Sequence, residues 1–159
     1  MWANFFVAAA GASAALAGLV FVALSVNIER VLKFPALPAR AAATIGNLML
    51  ILVSSMASLM PQSPHWMGIE ILAFTAIAFL LQFDSDRRAI AASLAGIRPK
   101  KESVVSTTLG LAQLTPFVAG ALLLMGWHSS GAYWVAAGIL AIFAGSTFNA
   151  WILLVEILR

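Results

Sequence analysis

Apolar and polar positions alternate along this chain by whole segments rather than by single turns. From Phe5 to Val26 there are twenty-two residues without a charge, closed by Asn27, Ile28, Glu29 and Arg30. At about 1.5 Å per residue, a helix of that length crosses a hydrocarbon core of roughly 30 Å. Four more apolar runs follow. The pattern predicts membrane-spanning helices over about residues 5–27, 41–60, 66–83, 104–125 and 133–158, forming one transmembrane helical domain, 1–159. The expected fold is all-α, a polytopic membrane helix bundle of five spans. The connectors are short and polar. Pro35 and Pro38 interrupt the first, Pro61 and Pro64 the second, and the stretch GWHSSGA forms the fourth.

The third connector is longer. Asp84, Ser85 and Asp86 read as a cap or a kink, and Ile90, Leu94 and Ile97 fall on one face between Arg87 and Arg98. That spacing predicts a short cytoplasmic amphipathic segment over 87–98, lying on the membrane surface and stopped by Pro99; a helical extension of the third span is the alternative. Within the fourth span Pro116 lacks the N–H that would reach the carbonyl of Ala112, so a kink is expected near mid-membrane. Two ladders of small residues repeat every four positions: Ala10, Ala14 and Gly18 in the first span, and Ala137, Ala141 and Gly145 in the fifth. Small residues let helix backbones approach closely in lipid. Both spans run in the same direction, and a parallel packing contact between the two ladders is predicted.

Charge sets an orientation. All nine Lys and Arg fall in the first connector (30, 33 and 40), in the third (87, 88, 98, 100 and 101) or at Arg159. The positive-inside rule puts that set in the cytoplasm, hence N-terminus outside and C-terminus in the cytoplasm. Trp2, Trp66, Trp127 and Trp134 then collect at the outer interface, where an aromatic belt belongs. The formal net charge of +3 carries no nucleic-acid reading, because the basic residues sit in short loops rather than on a continuous face. With 62% hydrophobic and 9% charged residues, no chain is left over for a separate soluble domain. The first four residues contain no Lys or Arg and the first apolar run exceeds a signal peptide's core, so it reads as a retained span. The absence of cysteine excludes disulfides, thiolate metal sites and cysteine nucleophiles.

Polar residues inside the apolar runs are the candidate chemistry. Asn47, Ser54 and Ser58 share a face of the second span, Gln113 and Thr115 lie in the fourth, and Ser146, Thr147 and Asn149 lie in the fifth. A polar side chain in hydrocarbon needs a partner, so the first reading of this set is glue between helices. The second is a polar path or small-ligand site near the midplane. No ionisable residue lies at mid-depth in any predicted span, which argues against a proton relay or an ion-coupled pump. On the outer side, His65, Glu70 and His128 form a candidate cluster. Two histidines and a carboxylate suit a metal and two histidines suit haem, but the spacing is not diagnostic and solvated interfacial histidines are the simpler reading. Glu156 near Arg159 reads as an ion pair at the cytoplasmic end. No phosphate loop, HExxH helix or nucleophile–histidine pair at suitable depth occurs, so no enzyme activity, catalytic residue, cofactor or metal is predicted.

The run GASAALAGLVFVALSVN from Gly11 to Asn27, with Arg40 and Ala41 opening the second span and Gln62, Gly68, Ile69 and Glu70 after it, resembles a group of short bacterial integral membrane proteins. Many of that group are labelled modulators of FtsH protease. The likeness covers about the first seventy residues. It implies a location in the bacterial inner (cytoplasmic) membrane and makes Asn27, Arg40, Gln62 and Glu70 the matching polar landmarks, with no catalytic role. The functional expectation is a non-enzymatic membrane protein acting through helix–helix contacts, as a regulator or accessory subunit of a larger membrane complex such as one for membrane proteolysis. Its partners would be membrane lipids and another membrane protein or a second copy of itself. The alternative is a homo-oligomeric pore or small-solute channel lined by Asn47, Gln113 and Asn149. A pore turns those amides towards a shared axis, whereas an accessory subunit hides them between its own helices.

Overall fold

The computed structural model describes residues 2–33, 36–94, 100–128 and 130–158, with side chains described for all of these except 30, 36, 92, 100–103 and 152–158. Among the described residues the chain is helical throughout: α1 (Trp2–Val26), α2 (Ile28–Lys33), α3 (Ala36–Leu59), α4 (Pro64–Leu94), α5 (Lys100–Ala112), α6 (Thr115–Met125) and α7 (Gly131–Leu158). Five stretches are long and apolar enough to cross a membrane: Trp2–Val26, Leu37–Leu59, Pro64–Ala91, Val104–Met125 and Gly131–Trp151. The helices follow from the apolar runs, because in hydrocarbon a backbone must satisfy its N–H and C=O groups within the segment.

Helix α3 is the centre. Leu48, Leu50 and Ile51 are all at most 2% exposed, so it is covered on several sides. It packs against α1, α4 and α7; α4 packs in turn on α6 and α5, and α6 on α7. One core runs through the bundle, joining those α3 residues to Ile71 of α4, Phe117, Ala121 and Leu124 of α6, and Val135, Ile139 and Ile142 of α7. At the other boundary of α3, Pro38 lies in the first turn, where its missing N–H costs nothing, and the helix therefore starts ahead of residue 41.

The third apolar run continues further than its charges suggest. Helix α4 passes Phe83 and the Asp84, Ser85 and Asp86 triplet without a break and reaches Leu94. Its buried stripe, Ile71, Thr75, Ala78, Gln82, Asp86, Ala89 and Ser93, advances by three or four residues at every step. Residues 87–94 are thus the last two turns of α4, the helical extension, and not a separate surface segment; 95–98 lie outside the described residues. At about 1.5 Å per residue the 31-residue helix is about 46 Å long, well beyond a hydrocarbon core.

The fourth apolar run is interrupted at Gln113 and Leu114, between α5 and α6. Pro116 is the second residue of α6 and lacks the N–H that would bond to the Ala112 carbonyl. The Thr115 hydroxyl donates to that carbonyl instead, at 2.7 Å. At its far end α6 closes with all four terminal carbonyls satisfied. Gly126 N–H donates to Leu122, His128 N–H to Leu123 and Trp127 N–H to Leu124, while the imidazole Nδ1 of His65 lies 3.0 Å from the Met125 carbonyl and donates to it. Trp127 takes φ 62° to make this turn, a position where glycine is usual.

The contact predicted between the ladders of α1 and α7 is not how these helices meet. The face of α1 that is buried carries Phe6, Ala9, Ser13, Ala17 and Val20, and it packs on α3. Ala14 and Gly18 are exposed, Ala10 is half-buried, and nothing stands within 4 Å of where a side chain on Gly18 would begin. On α7, Ala137 is exposed and Ala141 and Gly145 are half-buried. The physical reason is that α1 carries small residues at four-residue spacing on more than one face. Ala9, Ser13 and Ala17 form an equally small ladder rotated by about 100°, and that face, with Phe6 and Val20, is the one buried. What contact α1 has with α7 lies at the tip, where Trp2 meets Tyr133 edge-on at 4.8 Å between ring centroids.

Candidate functional site

Polar side chains gather inside the bundle towards the end that carries Arg40, Arg87 and Arg88, here the basic end. Helix α3 supplies Thr44 and Asn47, α4 supplies Gln82, Ser85 and Asp86, α5 supplies Thr107, and α7 supplies Ser146. Asn47 Nδ2 donates to Gln82 Oε1 at 3.4 Å, and Gln82 Nε2 donates to Asp86 Oδ1 at 3.1 Å. The Gln82 amide also lies directly against Gly110 of α5, where any side chain would overlap it. Gln82 and Asp86 are one turn apart on the buried stripe of α4, which is why both point inward. A second link ties α3 to α7: Arg40 Nη2 donates to Asn149 Oδ1 at 3.1 Å.

The predicted interior residues part company here. Asn47 (1% exposed), Gln113 (8%) and Ser146 (1%) are enclosed by the chain's own helices, and the Gln113 amide packs against Gly145 of α7. Asn149 is half-buried, with Arg40 as its partner. Thr115 faces outward, where its hydroxyl serves the backbone at the α5–α6 break. Thr147 is exposed as well. Gln82, Asp86 and Thr107 were not among the expected site residues. They became visible only once α4 was continuous through residue 86, and the i, i+4 spacing of Gln82 and Asp86 was the signal for them.

The outer cluster disperses. Glu70 accepts from Gln62 Nε2 at 2.8 Å, and the same nitrogen reaches the Ala57 carbonyl at 2.9 Å, so the pair closes the turn between α3 and α4. His65 is engaged with Met125 and His128 is exposed beside Gly126. Among the described residues no three His, Asp or Glu side chains converge to hold a metal ion. The side chain of Glu156 and all of Arg159 lie outside the described residues.

Several buried polar atoms of the interior have no hydrogen-bond partner: Asn47 Oδ1, Asp86 Oδ2 and the hydroxyls of Ser54, Ser55, Thr107 and Ser146. Each such group costs about 1–3 kcal/mol when left unpaired. The cluster therefore does two things. Its made bonds tie α3 to α4 and to α7, and Thr107 brings α5 against the Asp86 carboxyl. No family model, curated protein or solved structure matches this chain.

Proposed function

We propose that the chain is a non-enzymatic multi-pass membrane protein that acts through helix contacts, as a regulator or accessory subunit of a larger membrane complex. The observation that carries this reading is the placement of the interior amides. Asn47 and Gln113 are spent between the chain's own helices, while the small-residue face of α1 (Gly11, Ala14 and Gly18) is open. A helix face of that kind admits a second backbone at close range. The pore alternative requires the amides to face an axis shared between copies, and their enclosure within one copy weighs against it. The orientation that fits the charges has the basic end in the cytoplasm and the tryptophan-bearing end outside. The resemblance carried by Gly11 to Asn27, Arg40, Gln62 and Glu70 makes the bacterial inner membrane the place to look and a membrane protease the first partner to test.

The experiment is gentle purification of the tagged chain from its own membrane, with mass and identity measured for whatever accompanies it. A stoichiometric larger partner, lost when Gly18 is changed to Leu, is the expected result. Beyond Gly18 there is open space, so a leucine there faces lipid harmlessly unless another helix occupies that face. A homo-oligomer with no second protein, and with solute flux abolished by Gln113→Leu, would overturn the reading in favour of a pore.

A further inference from the structure

Helix α5 is one half of a broken span. The break at Gln113 and Leu114 falls about half way along Val104–Met125, and hence near the middle of a bilayer. Pro116 removes the backbone bond that would carry the helix across it. The two halves are held by different means. Helix α6 is clamped to α7 by close apolar packing, Gly120 against Val135 and the Phe117 ring against Gly138. Helix α5 rests on α4 and has little else against it among the described residues. Its positions Val104, Val105, Thr108, Leu109 and Ala112 are exposed. What it presents to α4 is small or polar: Gly110 beneath the Gln82 amide, and Thr107 with its hydroxyl against the Asp86 carboxyl.

This seam encloses an acid. Asp86 is 5% exposed and Gln82 7%. From Pro64 to Asp86, α4 climbs about 33 Å at about 1.5 Å per residue, which brings the carboxyl to the inner edge of a hydrocarbon core. The headgroup layer and its water begin at that depth, and α5 covers the carboxyl on the side of Thr107. A half-helix with a break at one end, an exposed outer face and a polar inner seam has the low local stability from which moving elements are drawn.

We propose that α5 is a hinged lid. It swings off α4 about Gln113 and Leu114 while α6 stays in place, and its opening admits water to the Gln82 and Asp86 seam that its closure keeps dry. Thr107 is the latch, and the break at Pro116 lets the hinge bend. Closed, Gln82 and Thr107 serve the Asp86 carboxyl; open, water takes the place of Thr107, so the swing breaks no polar contact without replacing it. The lid does not depend on whether the chain serves a larger complex.

The chain has no cysteine, so spin labels attach only where thiols are introduced. Leu19 of α1, Leu109 of α5 and Leu122 of α6 are exposed and can carry them without disturbing the core. The test is double electron–electron resonance on the full chain in lipid nanodiscs, with Leu19→Cys paired with Leu109→Cys or with Leu122→Cys. The expected result is two distance populations for the α5 pair and one for the α6 pair. Thr107→Val, which keeps the shape and removes the latch hydroxyl, raises the second α5 population roughly fivefold relative to the first. Pro116→Ala, which returns the backbone bond to Ala112, lowers it. A single α5 distance that neither variant shifts would overturn the proposal, as would an α6 pair that moves in step with the α5 pair. Amide exchange of the wild-type chain tests the same point without a variant: 104–112 should exchange faster than 117–125, and equal exchange of the two stretches would overturn the lid.

Discussion

Substituting Gly138 by alanine sets two effects against each other, and the structure gives the winner. Gly138 faces α6, and a Cβ added there would lie 2.5 Å from Phe117 Cδ2 and 2.7 Å from Cε2. Those are ring atoms of a residue with 0% exposure, held between α6 and α7, so the ring has no free space to swing into. Overpacking of this kind costs about 1–3 kcal/mol, and a rigid, fully enclosed ring places it near the upper end. Against that, Gly→Ala inside a helix gains about 1 kcal/mol. The net expectation for Gly138→Ala is a loss of about 1–2 kcal/mol. Gly18→Ala, where nothing stands within 4 Å, should show the propensity gain alone, about 0.5–1 kcal/mol. Unfolding of both variants in mixed detergent, followed by circular dichroism, compares them directly. Trimming the ring with Phe117→Leu in the Gly138→Ala background should recover part of the loss, with a coupling of at least about 1 kcal/mol in the double-mutant cycle. Additive effects, or a Gly138→Ala chain as stable as the parent, would refute the close α6–α7 contact on which this reasoning stands.

Two further predictions concern backbone groups that side chains satisfy. His65→Leu leaves the Met125 carbonyl without its donor at the end of α6, and a partly exposed site of this kind should lose about 1 kcal/mol in the same unfolding assay. His65→Gln, which retains a donor, should recover most of it. Thr115→Val removes the donor that replaces the missing Pro116 N–H. The variant should lose about 1–2 kcal/mol, and Pro116→Ala in the same chain should restore it by returning the backbone bond to Ala112.

How much of this architecture is legible in the sequence depends on which physical constraint is strongest at each place. The number of apolar helices follows from runs of about twenty uncharged residues, because a bilayer imposes that length directly. The break near Pro116 follows from a missing N–H. Helix α4 is less legible, because Asp84, Asp86, Arg87 and Arg88 read as a connector when counted as charges. Read as a face, Thr75, Ala78, Gln82, Asp86, Ala89 and Ser93 keep helical spacing straight through them, with Arg87 and Arg88 on the outside. Periodicity outranks charge along this helix. On α1 the periodicity is itself degenerate: Ala9, Ser13 and Ala17, flanked by Phe6 and Val20, form a face as small as that of Ala10, Ala14 and Gly18, flanked by Val7 and Phe21, and the pattern does not choose between them. Asn47, Gln113 and Ser146 stood out as polar residues in apolar runs. Their partners did not, since pairing across α3, α4 and α5 depends on helix rotation, which single-helix patterns leave open.

Rotation is also what gives Gln82 its weight, and it leads to a sharper prediction. Helix α5 rests on α4 and has little else against it among the described residues, whereas α6 is locked to α7 through the close approach of Gly120 to Val135 and of Gly131 to the Gly120 carbonyl. The grip on α5 is therefore the polar one: the Gln82 amide against Gly110, and Asp86 beside Thr107. Gln82→Ala removes the bonds to Asn47 and to Asp86 and opens space over Gly110. At about 1 kcal/mol for each bond, with a further term for the cavity, the cost is about 2–3 kcal/mol. The two bonds join α4 to α3 and to itself and survive an opening of α5, so only the lost contact with Gly110, about 1 kcal/mol, appears as amide exchange in 104–112, faster by roughly fivefold, while 117–125 keeps its protection. Equal acceleration of both stretches would mean that α5 and α6 open as one unit and that the polar cluster is not what holds α5. No acceleration of either would mean that the packing of Gln82 on Gly110 contributes nothing net to holding α5.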